Sequence, residues 1–497
     1  MLKRLTGNRE PSDFINPVLL KELRQSVRSR QFVGVFVAVQ IAMILFVIFV
    51  LATASGSNDV EEVSVAFWFI VGVYLLFILP LSGLNSLGRE YDDARLDLLQ
   101  LSSMNSRGIV LGKWLSLNFQ GLLVVLSLLP YIVLRYFTGS VNPLYELIIL
   151  GVMLYCSLVL SGAAICVSVV RGKVLRVIVV IGLFFGSMMF IEVLDNAHID
   201  IDDIINSIDA QNFYYVIPIM LMLSALVGGL FLEFASARIS PMAENHETLK
   251  RLYLLGVIAL WWLTYLFSHT EAINTIFTVL CLAMTAVSIS AIVGEPIKLP
   301  GVYCPFVRKG FLGKFLGRTL LYPGWISGAN FTLLTFCMLA VILNWLSSGH
   351  SDLGKAYLVL ISLFGSLLMP RAIFICLRMR DGGMRLFMLI QLVLICIVVL
   401  AMLTEEVKKW ELTALLFWLP QAGVLSIGLI DEHSSKFTLY LIGNAAFASI
   451  CYAIVLFGGW RQRRLIQQLE QSAIEINERA DASKSETAAT QSATVEA

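Results

Sequence analysis

Charge is scarce in this chain. Asp, Glu, Lys and Arg together make 14% of its 497 residues, against 58% apolar, where a soluble domain carries about 25% charge. Cys-x-x-Cys pairs are missing: the eight cysteines stand apart, and all but Cys304 lie in apolar runs, so neither a disulfide framework nor a cysteine-based metal cluster organises the fold. No HExxH, GxSxG or HxxxH pattern occurs, and His198, His269, His350 and His433 fall in separate loops without ligand spacing. The chain is therefore expected to be no enzyme, to hold no metal and to have no catalytic residues. A phosphate loop is also lacking. The nearest approach, GIVLGKW from Gly108 to Trp114, has one residue too few between its glycines and a Trp where Mg²⁺ needs a hydroxyl. The chain is expected to bind no cofactor of its own. Net charge is +1, which gives no reason to expect a nucleic-acid partner. The polar, basic N-terminus lacks a short apolar core followed by small residues, so no cleaved leader is expected.

What the chain does have is long apolar runs. A bilayer needs about 20 apolar residues per helix, and this ruler predicts an all-α polytopic membrane protein with about 12 transmembrane helices. The spans lie near 32–53, 65–87, 115–136, 146–170, 174–194 and 213–235, then near 252–268, 274–293, 325–347, 356–377, 386–403 and 437–459. A further apolar stretch, 412–430, carries Pro420 and Gly423 near its middle and is read as a broken, re-entrant or interfacial hairpin. With this count, Lys and Arg gather on one side; only Arg135, Lys355, Lys408, Lys409 and Lys436 fall on the other. The positive-inside rule then puts both termini in the cytosol. The loop order repeats from one half to the other. The expected organisation is a cytosolic N-terminus with an interfacial helix (1–31), a six-span half (32–235), a cytosolic linker (236–251), a second six-span half (252–459), an amphipathic cytosolic segment (460–480) and an unfolded tail (481–497). Charges within spans (Arg135, Glu146, Arg176, Glu192, Glu233) lie close to span ends, where snorkelling suffices. Gln40, Asn118, Gln120, Asn330 and Gln391 are expected to join helices by hydrogen bonds.

Two polar segments stand out against this background. In NPVLLKELRQSVRSR (16–30), Asn16 can cap a helix that has Pro17 at its first position. Leu20, Leu23 and Val27 then share one face, and Lys21, Arg24 and Arg28 another, as in a helix lying in the bilayer interface. In REYDDARLDLLQLSSMNSRGIVLGK (89–113), Tyr91, Ala94, Leu98 and Leu101 form an apolar ridge beside Asp92, Asp93 and Asp97. Periodicity alone fits either a protein groove or the membrane surface.

The N-terminal segment resembles the elbow helix of ABC-2 type transporter permeases. GREYDDARLDLLQLSSMNSRGIVLGKW resembles the same family's stretch between spans two and three: an acidic residue, an LDLL core, a break, and a GK entering span three. The likeness is clear over 14–120 and weak in the second half. It implies an interfacial elbow bearing Pro17, Lys21, Glu22, Leu23, Arg24 and Arg28. It also implies a coupling helix whose Tyr91, Asp97, Leu98, Leu99, Leu101, Arg107 and Lys113 meet a dimeric ABC ATPase subunit, with ATP and Mg held by that partner. The implied setting is the bacterial cytoplasmic membrane, where the lipid bilayer and a second permease chain are further partners if one chain does not supply both halves. A gradient-driven secondary transporter and a non-transporting membrane scaffold stay open as alternatives.

Overall fold

The computed structural model describes residues 17–53, 60–84, 87, 105–138, 143–169, 210–267, 280, 283–346, 353–378, 384–408, 416–425 and 435–496. Among these the secondary structure is helical throughout. Eight helices are long and apolar enough to cross a membrane: Arg30–Ile48, Ala66–Gly83, Ser106–Phe137, Glu146–Ser168, Leu221–Ile239, Trp325–Ile342, Ala356–Cys376 and Phe437–Gly458. The protein is thus a multi-pass α-helical membrane protein. Of the other expected spans, 174–194 lies outside the described residues. The remaining three fall on helix Glu247–Phe267 and on the shorter apolar helices Ala283–Val293 and Leu386–Ala401. Side chains such as Phe69, Val341 and Phe457 point outward at 70%, 70% and 85% exposure, the arrangement that lipid rewards and water does not.

The chain divides into two compact units, Met1–Pro241 and Met242–Ala497, with the boundary inside 236–251. In the first unit, α1 (Pro17–Val27) ends just before Ser29, whose Oγ accepts the Phe32 N–H at 3.1 Å and so caps α2 (Arg30–Thr53). Next comes α3 (Val60–Gly72), which runs through a π turn at Val73–Ile78 into α4 (Leu79–Gly83), followed by α5 (Ser106–Thr138), α6 (Pro143–Ser168) and α7 (Ala210–Ile239). Phe46, Phe67, Tyr74, Leu75, Val124 and Leu128 form the center of its core. Polar side chains join these helices: Gln40 donates to Ser127 Oγ at 2.6 Å and accepts from Tyr131 at 3.1 Å, and Ser161 donates to Asn118 at 3.1 Å.

Three expected snorkelling residues behave otherwise, one of them Glu233, whose side chain is 2% exposed and paired with Arg107. Arg135 and Glu146 turn toward each other across the α5–α6 hairpin, paired at 2.7 Å with side chains 5% and 4% exposed. Arg135 also lies 4.5 Å from the center of the Phe67 ring. Position near a span end did not decide their fate because a partner of opposite sign stood within reach. Mutual attraction offsets part of what each charge loses on leaving water.

The second unit contains α8 (Glu247–Phe267), a π turn at Ser290–Gly294, α9 (Cys304–Arg308), α10 (Gly310–Leu316), a π turn at Gly317–Leu321, α11 (Trp325–Leu346), α12 (Leu353–Cys376), α13 (Met384–Lys408), α14 (Pro420–Leu425), α15 (Ser435–Gly458) and α16 (Trp460–Glu496). Within the expected broken hairpin, a turn at 416–419 leads into α14, and Leu419 to Gly423 are buried. This short helix packs against α12, α13 and α15. Non-helical backbone at membrane depth survives only where protein encloses it, and the sequence supplies the means. Pro370 cannot donate to the Ser366 carbonyl one turn back; Gln391 on α13 donates to it instead, and Gln421 on α14 donates to Gln391 at 2.9 Å. On the far side Asn444 donates to the Phe417 carbonyl at 3.0 Å and to the Tyr440 carbonyl at 2.8 Å. Gly423 is required by close approach, since a methyl there would collide with Ser362 Oγ and the Asn444 amide.

The tail expected to be unfolded over 481–497 instead continues α16 as far as Glu496. A helix already nucleated at 460 propagates through Ala, Glu and Lys at little cost per residue.

Candidate functional site

In the first unit the sequence-predicted elbow residues lie on one structure. Pro17 opens α1, Leu23 is half-buried together with Leu20 and Val27, and Lys21, Arg24 and Arg28 are exposed. The exposed side forms a shallow open hollow lined by Leu20, Lys21, Arg24, Gln25 and Arg28. Helix α1 is fastened to the start of α5. Glu22 pairs with Lys113 at 3.4 Å, and Ser26 Oγ lies 3.1 Å from Ser116 Oγ. Lys113 is only 6% exposed, so its charge is used inside the unit. Arg107, on the first turn of α5, donates through Nε and Nη2 to Glu233 on α7 at 3.0 and 2.8 Å. Arg107 and Lys113 thus hold α5 to α7 and to α1. Tyr91, Asp97, Leu98, Leu99 and Leu101 lie outside the described residues.

The second unit has a denser polar site, which sequence reasoning missed. It gathers where α8 and α11 begin and where loop 295–324 folds back. Asn245 Oδ1 accepts the Thr248 N–H at 3.3 Å, capping α8, and puts Glu247 in the first turn, where the helix dipole favours a carboxylate. Arg251, one turn on, is fully buried. It pairs with Glu295 and donates to the Leu320 carbonyl, to the Tyr322 carbonyl at 3.2 Å and to Ser327 Oγ at 3.2 Å. Glu295 also accepts the Gly324 N–H at 3.0 Å. Lys250 pairs with Glu247 and donates to Ser290 Oγ at 2.7 Å. Thr248 Oγ1 donates to the Leu321 carbonyl at 2.9 Å. A single arginine therefore ties α8 to both ends of the loop.

Electrostatics follow from this burial. Desolvation pushes the Glu295 carboxyl up to about 7, against the pull of Arg251. Burial also works against the charge on Glu247, but Lys250, Lys298 and Arg251 together hold it below the usual carboxylate range. Lys298 is lowered by burial, with Glu247 opposing. The arrangement is a brace that fixes loop geometry.

A second clasp holds the same loop from the other side. The α16 helix lays Ile466 and Ala473 against Val302, Tyr303 and Tyr322. Arg318 donates to Glu470 at 2.6 Å, and Arg308 donates to Asn477 at 3.1 Å. Tyr303 and Tyr322 meet edge to face with ring centers 4.9 Å apart. The signal available beforehand was only the run of Arg and Lys in 308–318, which does not announce a partner more than a hundred residues away. No family model, no curated protein and no solved structure matches the chain.

Proposed function

We propose that the chain is the permease subunit of an ATP-driven ABC exporter of the ABC-2 type, with about twelve spans in two six-span halves and both termini in the bacterial cytosol. A separate ATPase dimer supplies the energy and holds ATP and Mg. The observation that carries this reading is the docked elbow. The basic-faced helix α1 is pinned by Glu22–Lys113 and Ser26–Ser116 to the helix that immediately follows the 89–105 island. An element fixed to the base of α5 in this way transmits a push on the island to α5 rather than losing it in the lipid. The island's ridge gains on the order of 1.5–3 kcal/mol for each large apolar side chain buried in a protein groove, while its acidic flank gains nothing from an anionic leaflet.

The test replaces Leu98 and Leu101 together with Asp in the full-length protein. Insertion is expected to be unaffected, because the segment is already aqueous. Co-purification of an ATPase subunit from the native membrane, and stimulation of its hydrolysis, are expected to be lost. Retention of both would refute the coupling role of these residues.

One feature favours a second reading, a gradient-driven transporter: the broken segment 416–425 set among the uncharged polar side chains of Gln391, Gln421 and Asn444, since interrupted helices are a way of building ion and substrate sites. Flux driven by a proton or Na⁺ gradient through the polypeptide reconstituted alone would decide for it.

A further inference from the structure

Helix α10 (Gly310–Leu316) exposes apolar side chains outside the helices long enough to cross a membrane. Phe311, Leu312, Phe315 and Leu316 are exposed at 81%, 70%, 55% and 44%. At about 100° per residue these four side chains fan over one side of the seven-residue helix. Phe311 and Phe315 stack on one another, ring centers 6.4 Å apart. The opposite side is spoken for: a Cβ at Gly313 would run into the Phe306 carbonyl, so α10 sits directly on α9 by that face. The turn that orients it is made by Gly310, whose φ of +72° places it in the left-handed region, disfavoured for residues with a Cβ. The apolar ridge is therefore held outward by the fold and does not arise from a loose segment.

Charge identifies the occupant. The sequence has no Asp or Glu between Glu295 and Asp352, and Lys309 and Lys314 flank the ridge, while Arg318 is paired with Glu470. This is the reverse of the 89–105 island, which carries Asp92, Asp93 and Asp97 beside its leucines. The location agrees. Soon after α10 the chain enters α11 at Trp325, which lies under the Arg371 guanidinium at 4.4 Å. Gly459 packs beside Ile326 and Trp325, and the adjoining Trp460 is 65% exposed. Tryptophans with arginines at the ends of apolar helices mark the headgroup level of a bilayer.

We propose that α10 is an in-plane membrane anchor: Phe311, Leu312, Phe315 and Leu316 enter the headgroup–acyl boundary of an anionic leaflet, and Lys309 and Lys314 meet its lipid phosphates. Apolar burial and attraction to anionic lipid act together in such helices. The anchor holds the outer edge of a loop whose inner edge is fixed by Arg251 and Glu470. It does not depend on any ATPase.

The test is spin labelling of the full-length protein in lipid nanodiscs, with Phe311→Cys as the labelled site and Glu478→Cys, on an exposed turn of α16, as the aqueous control. The native cysteines are replaced in both variants. Size-exclusion profiles matching the parent establish that each is folded. With phosphatidylglycerol present, the label at 311 is expected to collide with O₂ freely and with a water-soluble nickel chelate several-fold less often than the label at 478. Replacing phosphatidylglycerol by phosphatidylcholine, or combining it with Lys309→Gln and Lys314→Gln, is expected to raise nickel access at 311. Nickel access equal at the two sites would overturn the proposal. So would protection from both reagents, which means a protein partner covers the ridge, and so would indifference to lipid charge, which removes the phosphate contacts.

Discussion

Replacing Arg251 with Met exposes the logic of the buried brace most directly, because it leaves a hydrocarbon stem of similar reach and removes the charge. Glu295, whose side chain is 1% exposed, then loses the guanidinium it pairs with and keeps the weaker pull of Lys250. Removing one member of a buried pair costs about 3–5 kcal/mol. The carboxyl escapes part of that by taking up a proton, so the cost depends on pH. In the parent protein burial raises the Glu295 carboxyl from its ordinary 4.5 to about 7. A group whose folded value is raised contributes stability that is complete below the unfolded value and is lost as pH rises through the folded one. Between about pH 6 and the folded value the unfolded chain is ionised and the folded one is not, so the parent loses roughly 1 kcal/mol from this group, and nothing further is lost above that value. Without Arg251 the folded value climbs further, and the loss extends over more of the interval from about pH 6 to about pH 8. Thermal denaturation of the full-length protein in nanodiscs, followed by intrinsic tryptophan fluorescence at both pH values, reads the difference. At roughly 2–4 °C per kcal/mol, the variant is expected to melt roughly 6–20 °C below the parent at the higher pH and to recover part of that gap at the lower. Glu295→Gln removes the titrating group, and its melting temperature is expected to lack this pH slope. An Arg251→Met protein with an unchanged melting temperature at the higher pH, or with a gap that does not narrow on acidification, would refute the reasoning.

Two further expectations concern packing. Gly423→Ala forces a methyl against Ser362 Oγ and the Asn444 amide, whose Nδ2 would lie at 2.9 Å; overpacking of this kind costs about 1–3 kcal/mol, and Ser362→Ala in the same chain is expected to restore part of the lost melting temperature. Glu470→Ala strips Arg318 of its partner and leaves the buried Tyr322 hydroxyl without the acceptor it has at 3.5 Å. A loss of about 1–3 kcal/mol follows from the unmet donor, and limited proteolysis is expected to cut α16 from the full-length chain faster than in the parent. Unchanged cleavage would show that Ile466, Ala473 and the Arg308–Asn477 bond hold α16 without Glu470.

The membrane character, the positions of most apolar helices and the two-faced helix α1 were readable because each is a local pattern: run length for a span, a stripe of Leu20, Leu23 and Val27 for α1. The break near Pro420 and Gly423 was readable for the same reason, since both residues announce themselves. Pairings across sequence were not. Nothing near Arg251 in the chain points to Glu295 or to the carbonyls of 320–322, and Arg135 looked like a residue reaching for water until Glu146 was found opposite. The fate of Phe311 and Leu312 could not be read either, because exposure is decided by Gly313 seating the helix on its other face. Local periodicity reports which side chains share a face, and only the fold reports what that face meets.

The junction between α15 and α16 has a mechanical consequence. Gly459 donates to the Val455 carbonyl at 3.1 Å and accepts from Arg463 at 3.0 Å, so the helical ladder passes through the glycine with little interruption. Asn444, which grips the broken segment, and Glu470, which grips the loop, are then fixed points on one shaft, roughly 40 Å apart at about 1.5 Å per residue. A shaft of that length turns a small change in tilt at its membrane end into a displacement of several ångströms at the loop, without any side chain between them having to change rotamer.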